Sequence, residues 1–204
     1  MANFLTTSDG HFVDNPRYAR VGVDRLSAAQ QVLVRKQRGS NNRLGLRETV
    51  ANRHRKVANQ RRDFYHKVAR RLVKEYDVPV VEDLRVANMS RRAKAKPDPE
   101  NPGQLPPNVA SAKIGPNRSF NDSGWAQFRS ILEAKAEDAG RTVMSVNPRH
   151  TSQTCHECGH VDAGNRVSQA RFLCRRCGHE AHADVNAARN ILGAGLALLV
   201  AQAT

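Results

Sequence analysis

The sequence predicts a mixed α/β chain with a metal-held module near its carboxyl end. Three observations lead there. Short apolar runs alternate with long helical patterns, two Cys-x-x-Cys-Gly-His turns lie close together at 155–160 and 174–179, and a helical run follows the second turn at once.

The elements follow in chain order. Asn3 to Thr7 and His11 to Val13 flank Ser8-Asp9-Gly10 and read as two short strands joined by a turn. Ser27 to Arg38 and Arg43 to Tyr76 carry helical periodicity, with Gly39-Ser40-Asn41-Asn42 as the break between antiparallel partners. Val78 to Leu84 is an apolar run ending in Glu82 and Asp83, so it reads as a buried strand that presents carboxylates at its carboxyl end. The stretch 90–118 is rich in Lys, Ala, Pro and Asn without periodicity and is expected to be a flexible basic linker. From Asn121 to Ala139, Trp125, Phe128, Ile131, Leu132 and Ala136 recur at three and four residues, which makes Trp125 a core anchor. Arg141 to Val146 is a further short strand, and Asp184 to Val200 a helix rich in alanine and leucine.

The four cysteines carry the most specific signal. Fifteen residues separate Cys158 from Cys174, a spacing that lets two knuckles fold back and offer four sulfurs to one tetrahedral Zn²⁺. Cys155, Cys158, Cys174 and Cys177 are therefore the predicted zinc ligands, and Gly159 and Gly178 allow the tight turn after each pair. A redox dithiol would open a helix after a strand, and disulfides would consume the same thiols. Two copies among polar residues favour zinc over both. His156, His160, His179 and His182 could ligate, but a complete Cys₄ set leaves no vacancy, and a closed shell is structural.

Charge narrows the partner. Lys and Arg total 33 against 19 Asp and Glu, a formal charge of +14, which points to a polyanion and weighs against a zinc-ribbon protein that binds only other proteins. The second helix holds a dense set of cations: Arg43, Arg47, Arg53, Arg55, Lys56, Arg61, Arg62, Lys67, Arg70, Arg71 and Lys74. Its apolar positions Val50, Val57, Phe64, Val68 and Leu72 form only a narrow stripe. With Glu48, Asp63 and Glu75 as its few acids, that helix is expected to contact nucleic acid rather than merely to be solvated. Aromatic residues make up 5% of the chain, so backbone contacts are expected over base stacking. Ile191 to Ala201 is far shorter than the roughly 20 residues of a membrane span, and Met1 to Thr7 has no signal-peptide pattern. A reducing cytoplasm is the expected compartment.

On residue chemistry alone, Glu82 could be a solvated strand end and Asp184 the cap of the last helix. The ordered blocks Ser-Asn-Asn-Arg (40–43), Arg-Arg-Asp-Phe-Tyr-His-Lys (61–67), Val-Val-Glu-Asp-Leu (80–84), Gly-Trp-x-x-Phe (124–128), Pro-Arg-His-Thr-Ser-Gln-Thr-Cys (148–155) and Asp-Val-Asn-Ala-Ala-Arg-Asn-Ile (184–191) resemble the TnpB family. These are the OrfB-type proteins of bacterial insertion sequences, related to compact type V CRISPR effectors. The resemblance implies an RNase-H-like (RuvC-type) nuclease domain with a helical insertion and a zinc ribbon, which cuts DNA under a guide RNA with Mg²⁺ held by three carboxylates.

By that resemblance Glu82 matches the second catalytic motif and Asp184 the third. The first, an aspartate in a Gly-[Ile/Val]-Asp-x-Gly strand, would lie before Met1, with Asp9 and Asp14 beyond the turn that follows it. The expectation is an amino-terminally truncated domain corresponding to the carboxy-terminal half of the family. It would comprise a partial RNase-H-like domain over 1–146 including a basic helical hairpin at 27–76, a zinc ribbon at 147–182 and a terminal helix at 183–204. Such a chain is expected to bind DNA, and guide RNA as in the family, at the nucleoid. It is not expected to cleave alone, because two metal ions need the bridging carboxylate that is missing. A start lying upstream would instead make it an active RNA-guided nuclease.

Overall fold

The computed structural model describes residues 3–84 and 124–202, so the linker expected at 90–118 lies outside the described residues. The chain divides into two compact units. One comprises Met1–Asn15, Leu72–Arg85 and Glu133–Thr204, and the other is built on Pro16–Arg71 with the described residues up to Leu132.

In the first unit, β1 (Asn3–Thr6) and β2 (Phe12–Asp14) pair antiparallel, with Leu5 opposite Val13 and Thr6 opposite Phe12. The turn closes through Gly10 N–H to Thr7 O (3.1 Å) and Thr7 N–H to His11 O (3.0 Å), and Gly10 supplies the positive φ of 89° that it requires. The strands β3 (Val80–Glu82) and β4 (Met144–Val146) pair parallel, Glu82 opposite Val146. A parallel pair cannot be joined by a tight turn, and the intervening chain includes the helix α3 (Trp125–Asp138). Expected as buried, β3 is only half-buried, whereas Met144 and Val146 of β4 are buried.

The ends of α3 and the long helix α2 (Asn41–Glu75) are finished by one loop. Gly140 (φ 66°) donates to Glu137 O (2.9 Å) and Arg141 N–H to Ala136 O (2.8 Å), the paired bonds of a Schellman ending. The Arg141 guanidinium then reaches Tyr76 O (2.8 Å) and Val73 O, so it satisfies carbonyls that the end of α2 leaves orphaned. The last helix, α4 (Ala183–Gln202), packs against β3 and β4. Gly195 is the contact point, since a Cβ there would lie 2.6 Å from both Val80 methyls.

The second unit is a helical hairpin of α1 (Tyr18–Arg35) and α2. Arg43 donates from Nη1 to Leu33 O (2.8 Å) and Lys36 O (2.9 Å), Arg53 reaches Arg25 O, and Gly22 lies against Val57 Cγ2. The paired numbers run in opposite directions, as antiparallel helices demand. Ser40 caps α2, its hydroxyl accepting from Arg43 N–H at 3.3 Å. The first helix starts nine residues before the expected Ser27. Val21, Gly22 and Val23 are poor helix formers, yet they lie within α1, where Gly22 faces Val57 of α2. Tyr65, 2% exposed, packs edge-on to Phe128 (6.0 Å between rings) and fills the space over Gly124. Trp125 is only half-buried, so the anchor of α3 is Phe128 with Leu132 rather than Trp125.

Candidate metal centre and carboxylates

The two knuckles have the same internal bonds. Cys155 N–H donates to His160 O and Gly159 N–H to Cys155 O, both at 2.9 Å. Cys174 N–H donates to His179 O (2.9 Å) and Gly178 N–H to Cys174 O (3.0 Å). Both glycines have positive φ, 71° and 75°. The short strands β5 (Arg171–Leu173) and β6 (Glu180–His182) pair antiparallel beside the second knuckle, and Phe172, fully buried, packs with Cys155, Cys174 and Ala183.

All four sulfurs lie within 4.8 Å of one another, with 3.7 Å between Cys155 and Cys177 and 3.6 Å between Cys158 and Cys174. A tetrahedral ion with bonds of about 2.3 Å to sulfur needs edges of about 3.8 Å, so the set fits one Zn²⁺. The Cys177 N–H, 3.5 Å from the Cys174 sulfur, draws that thiol down to about 6. The His179 N–H pulls on Cys177 in the same sense, yet the Cys158 sulfur, burial and the other two sulfurs hold Cys177 at about 12. Burial pushes Cys155 up. Four crowded sulfurs cannot all be thiolates unless a cation sits among them.

Two buried asparagines tie the module together. Asn165 donates from Nδ2 to Gln153 O (3.0 Å) and His160 O (3.2 Å) and accepts Arg175 N–H at Oδ1 (2.9 Å), so one side chain joins the two knuckles. Asn186, in the first turns of α4, donates to Thr154 O (2.8 Å) and accepts His156 N–H (3.1 Å). Asn190, one turn on, donates to Thr151 O (2.9 Å) and Thr154 O (2.7 Å). Asn186 and Asn190 are spaced i, i+4 on one helix face, a legible signal in Asp-Val-Asn-Ala-Ala-Arg-Asn. Asn165 and Thr151 carry no comparable pattern of their own.

Glu82 ends β3 and accepts the Thr151 hydroxyl at 2.8 Å. Burial raises its carboxyl above the ordinary value, and the Thr151 bond opposes that rise. Asp184 sits in the first turn of α4, where negative charge suits the helix dipole. Its carboxylate does not cap that helix: it accepts Arg166 Nη2 at 2.9 Å, and its backbone N–H meets His182 Nδ1 at 3.3 Å. Both carboxylates belong to the first unit and to the elements β3 and α4 that pack on each other. Among the described residues, the four cysteines are the only cluster of three or more potential metal ligands.

On α2, nine of the eleven predicted cations are exposed, while Arg43 and Arg61 are half-buried on the inner side. Arg43 is engaged with the end of α1, Arg53 with Arg25 O, Arg55 with Asn52 and Lys67 with Asp63 (2.7 Å). At about 100° per residue, the exposed cations cover the whole outer arc of the helix rather than a single line. No described helix is long and apolar enough to cross a membrane.

Comparison with known proteins covers nearly all of the chain. The family described as "Probable transposase" matches residues 1–93, and that described as "Cas12f1-like, TNB domain" matches residues 125–191. The chain is 41% identical to the "Putative RNA-guided DNA endonuclease InsQ" of Escherichia coli K12, over 98% of this chain and 48% of that protein. A "Putative RNA-guided DNA endonuclease" of Streptomyces pristinaespiralis is 34% identical over 97% of this chain and 44% of its own length. The chain thus spans about half the length of these relatives. A Cas12f1 complex with sgRNA and target DNA shares the fold, with a TM-score of 0.52 and 18% identity over 89% of this chain and 43% of that one.

Proposed function

Because the chain belongs to the TnpB/OrfB family of insertion-sequence proteins, we propose that its 204 residues bind DNA, and guide RNA as part of the family's assembly, through the outer arc of α2 and the zinc ribbon. Glu82 and Asp184 act as two of three nuclease carboxylates. Zinc is the resident ion of Cys155, Cys158, Cys174 and Cys177 and fixes the ribbon without taking part in chemistry. The 204 residues form a partial RNase-H-like domain over 1–146, a ribbon over 147–182 and a terminal helix over 183–204.

The observation that carries this reading is the predominantly basic exposed surface of α2, nine cations against Glu48, Asp63 and Glu75, beside a family match that spans the chain. Arg62, Arg70 and Lys74 are exposed and project along its outer side. Cations of this kind neutralise phosphates and release counterions, so affinity falls with salt whatever the sequence. Replacing those three with Gln is expected to lower the log K against log salt slope by about one for each phosphate no longer neutralised. A slope equal to the parent's would exclude α2 from the interface.

With only two carboxylates, these residues bind without cutting. The length of the relatives favours a second reading, in which a preceding segment supplies the third carboxylate and the complete protein is an RNA-guided DNA endonuclease. Magnesium-dependent cleavage of a guide-matched duplex separates the two. The 204-residue chain is expected to give none, and a longer chain carrying Gly-[Ile/Val]-Asp-x-Gly before Met1 is expected to cleave and to lose that activity in Glu82→Gln or Asp184→Asn. Cleavage by the 204 residues alone would overturn the first reading.

A further inference from the structure

We propose that Thr151 is a positioning residue for Glu82 and that, through it, the lead-in to the zinc ribbon sets the placement of the β3 carboxylate against helix α4. The inference rests on the reading of Glu82 as a nuclease carboxylate and adds a residue to it.

Thr151 is 9% exposed, one of the few buried polar side chains among the described residues. Its hydroxyl lies 2.8 Å from Glu82 Oε1 and 3.0 Å from Pro148 O. The one hydroxyl proton can serve only one of them at a time. The carboxylate is the stronger acceptor, because a bond to a charged oxygen is roughly twice as strong as a neutral one. The backbone of the same residue is held from both sides. Its N–H donates to Pro148 O (3.4 Å), and its carbonyl accepts Asn190 Nδ2 (2.9 Å). Asn190 also binds Thr154 O, and Asn186 binds Thr154 O and His156 N–H, so the six-residue stretch from Thr151 to His156 is fastened at Thr151, Thr154 and His156 to the face of α4 that follows Asp184.

One residue therefore touches Glu82 with its side chain and the Asp184-bearing helix with its backbone. It stands four positions before the first zinc ligand. Glu82 needs such a restraint, because a three-residue strand that among the described residues pairs only with β4 fixes the backbone of Glu82 but not its χ angles. A carboxylate that must meet an ion in a defined geometry loses rate when it is loosely held.

The test uses the zinc-loaded full chain and reads the side-chain order of Glu82 by ¹³C relaxation, with zinc content and thermal midpoint measured alongside. Thr151→Val keeps shape and removes the hydroxyl. Glu82 is expected to pass from the rigid range to an order parameter below about 0.6 while zinc stays stoichiometric, and Thr151→Ser is expected to restore rigidity. A Glu82 that stays rigid in zinc-loaded Thr151→Val overturns the inference. If that variant fails to load zinc, Thr151→Ala is read in the same way. Should neither load zinc while Thr151→Ser does, Thr151 serves the ribbon's own fold and the positioning role is excluded. The underlying nuclease reading fails separately: cleavage by the longer chain that survives Glu82→Gln would end it, whatever the order of the Glu82 side chain.

Discussion

The zinc ribbon and the α1–α2 hairpin hold their shapes by opposite means. The ribbon has almost no regular structure, yet between Thr151 and Ala183 it buries Thr151, Cys155, Asn165, Phe172, Cys174 and Ala183. Among the described side chains from Tyr18 to Phe64, only Ala29 is buried, although nearly all of that stretch is helix. One region replaces an apolar core with four sulfurs and two asparagines whose hydrogen bonds are satisfied. The other relies on backbone hydrogen bonds, a thin apolar seam and guanidinium groups resting on carbonyls. The lesson is that precision and reach are separate demands. Side chains that must be placed to a fraction of an ångström need a dense polar network, whereas a surface that follows a polyanion needs length and charge.

The largest test of this contrast is Cys174→Ser. Ribbon metal sites contribute on the order of 10 kcal/mol of folding energy, so this variant is expected to lose zinc and become protease-sensitive within the ribbon while helical circular dichroism persists. Stoichiometric zinc in the variant would remove the Cys₄ assignment, and collapse of the helical signal would show that the hairpin depends on the ribbon. Next comes Asn165→Ala, which leaves the Arg175 N–H without its acceptor and takes one of two donors from Gln153 O and from His160 O, and is expected to cost about 2 kcal/mol, seen as zinc release at lower chelator concentration. A parent-like chelator curve would mean that the knuckles are joined by the sulfurs alone.

Smaller effects are expected on the helical side. Val57→Ala removes half-buried methyls facing Gly22 and should cost about 1 kcal/mol in thermal unfolding without changing zinc affinity. A destabilisation comparable with that of Asn165→Ala would mean that the seam is a true core. The smallest is Glu82→Gln. Burial raises the folded carboxyl's pKa, so the folded state binds its proton more tightly than the unfolded one. That stabilisation is complete in acid and is lost as pH rises from the ordinary carboxylate range through the raised value. At neutral pH the variant, with no charge to bury, should therefore be slightly more stable than the parent, and the two should converge toward acid. Pairwise comparison at each pH cancels proton competition for the cysteines. A variant less stable at neutral pH would show that the ionised carboxylate is well compensated.

Local pattern was enough for much of the chain. The Cys-x-x-Cys-Gly-His repeat determined the four-sulfur cluster and its paired turns, because ligand spacing and glycine conformation are properties of a few adjacent residues. The β1–β2 turn, the break before Asn41 and the final helix were legible for the same reason. Apolar periodicity found the body of the hairpin but missed the start of α1, where Val21, Gly22 and Val23 are poor helix formers and Gly22 faces Val57, and it chose Trp125 where Phe128 and Leu132 are the buried residues. Tertiary structure alone decided that Thr151 meets Glu82 across 69 positions, that Asn165 bridges the knuckles, and that Asp184 pairs with Arg166 instead of capping its helix. A hydrogen bond between side chains far apart in sequence leaves no periodicity behind, since each partner is a single polar residue whose meaning depends on where the other is brought.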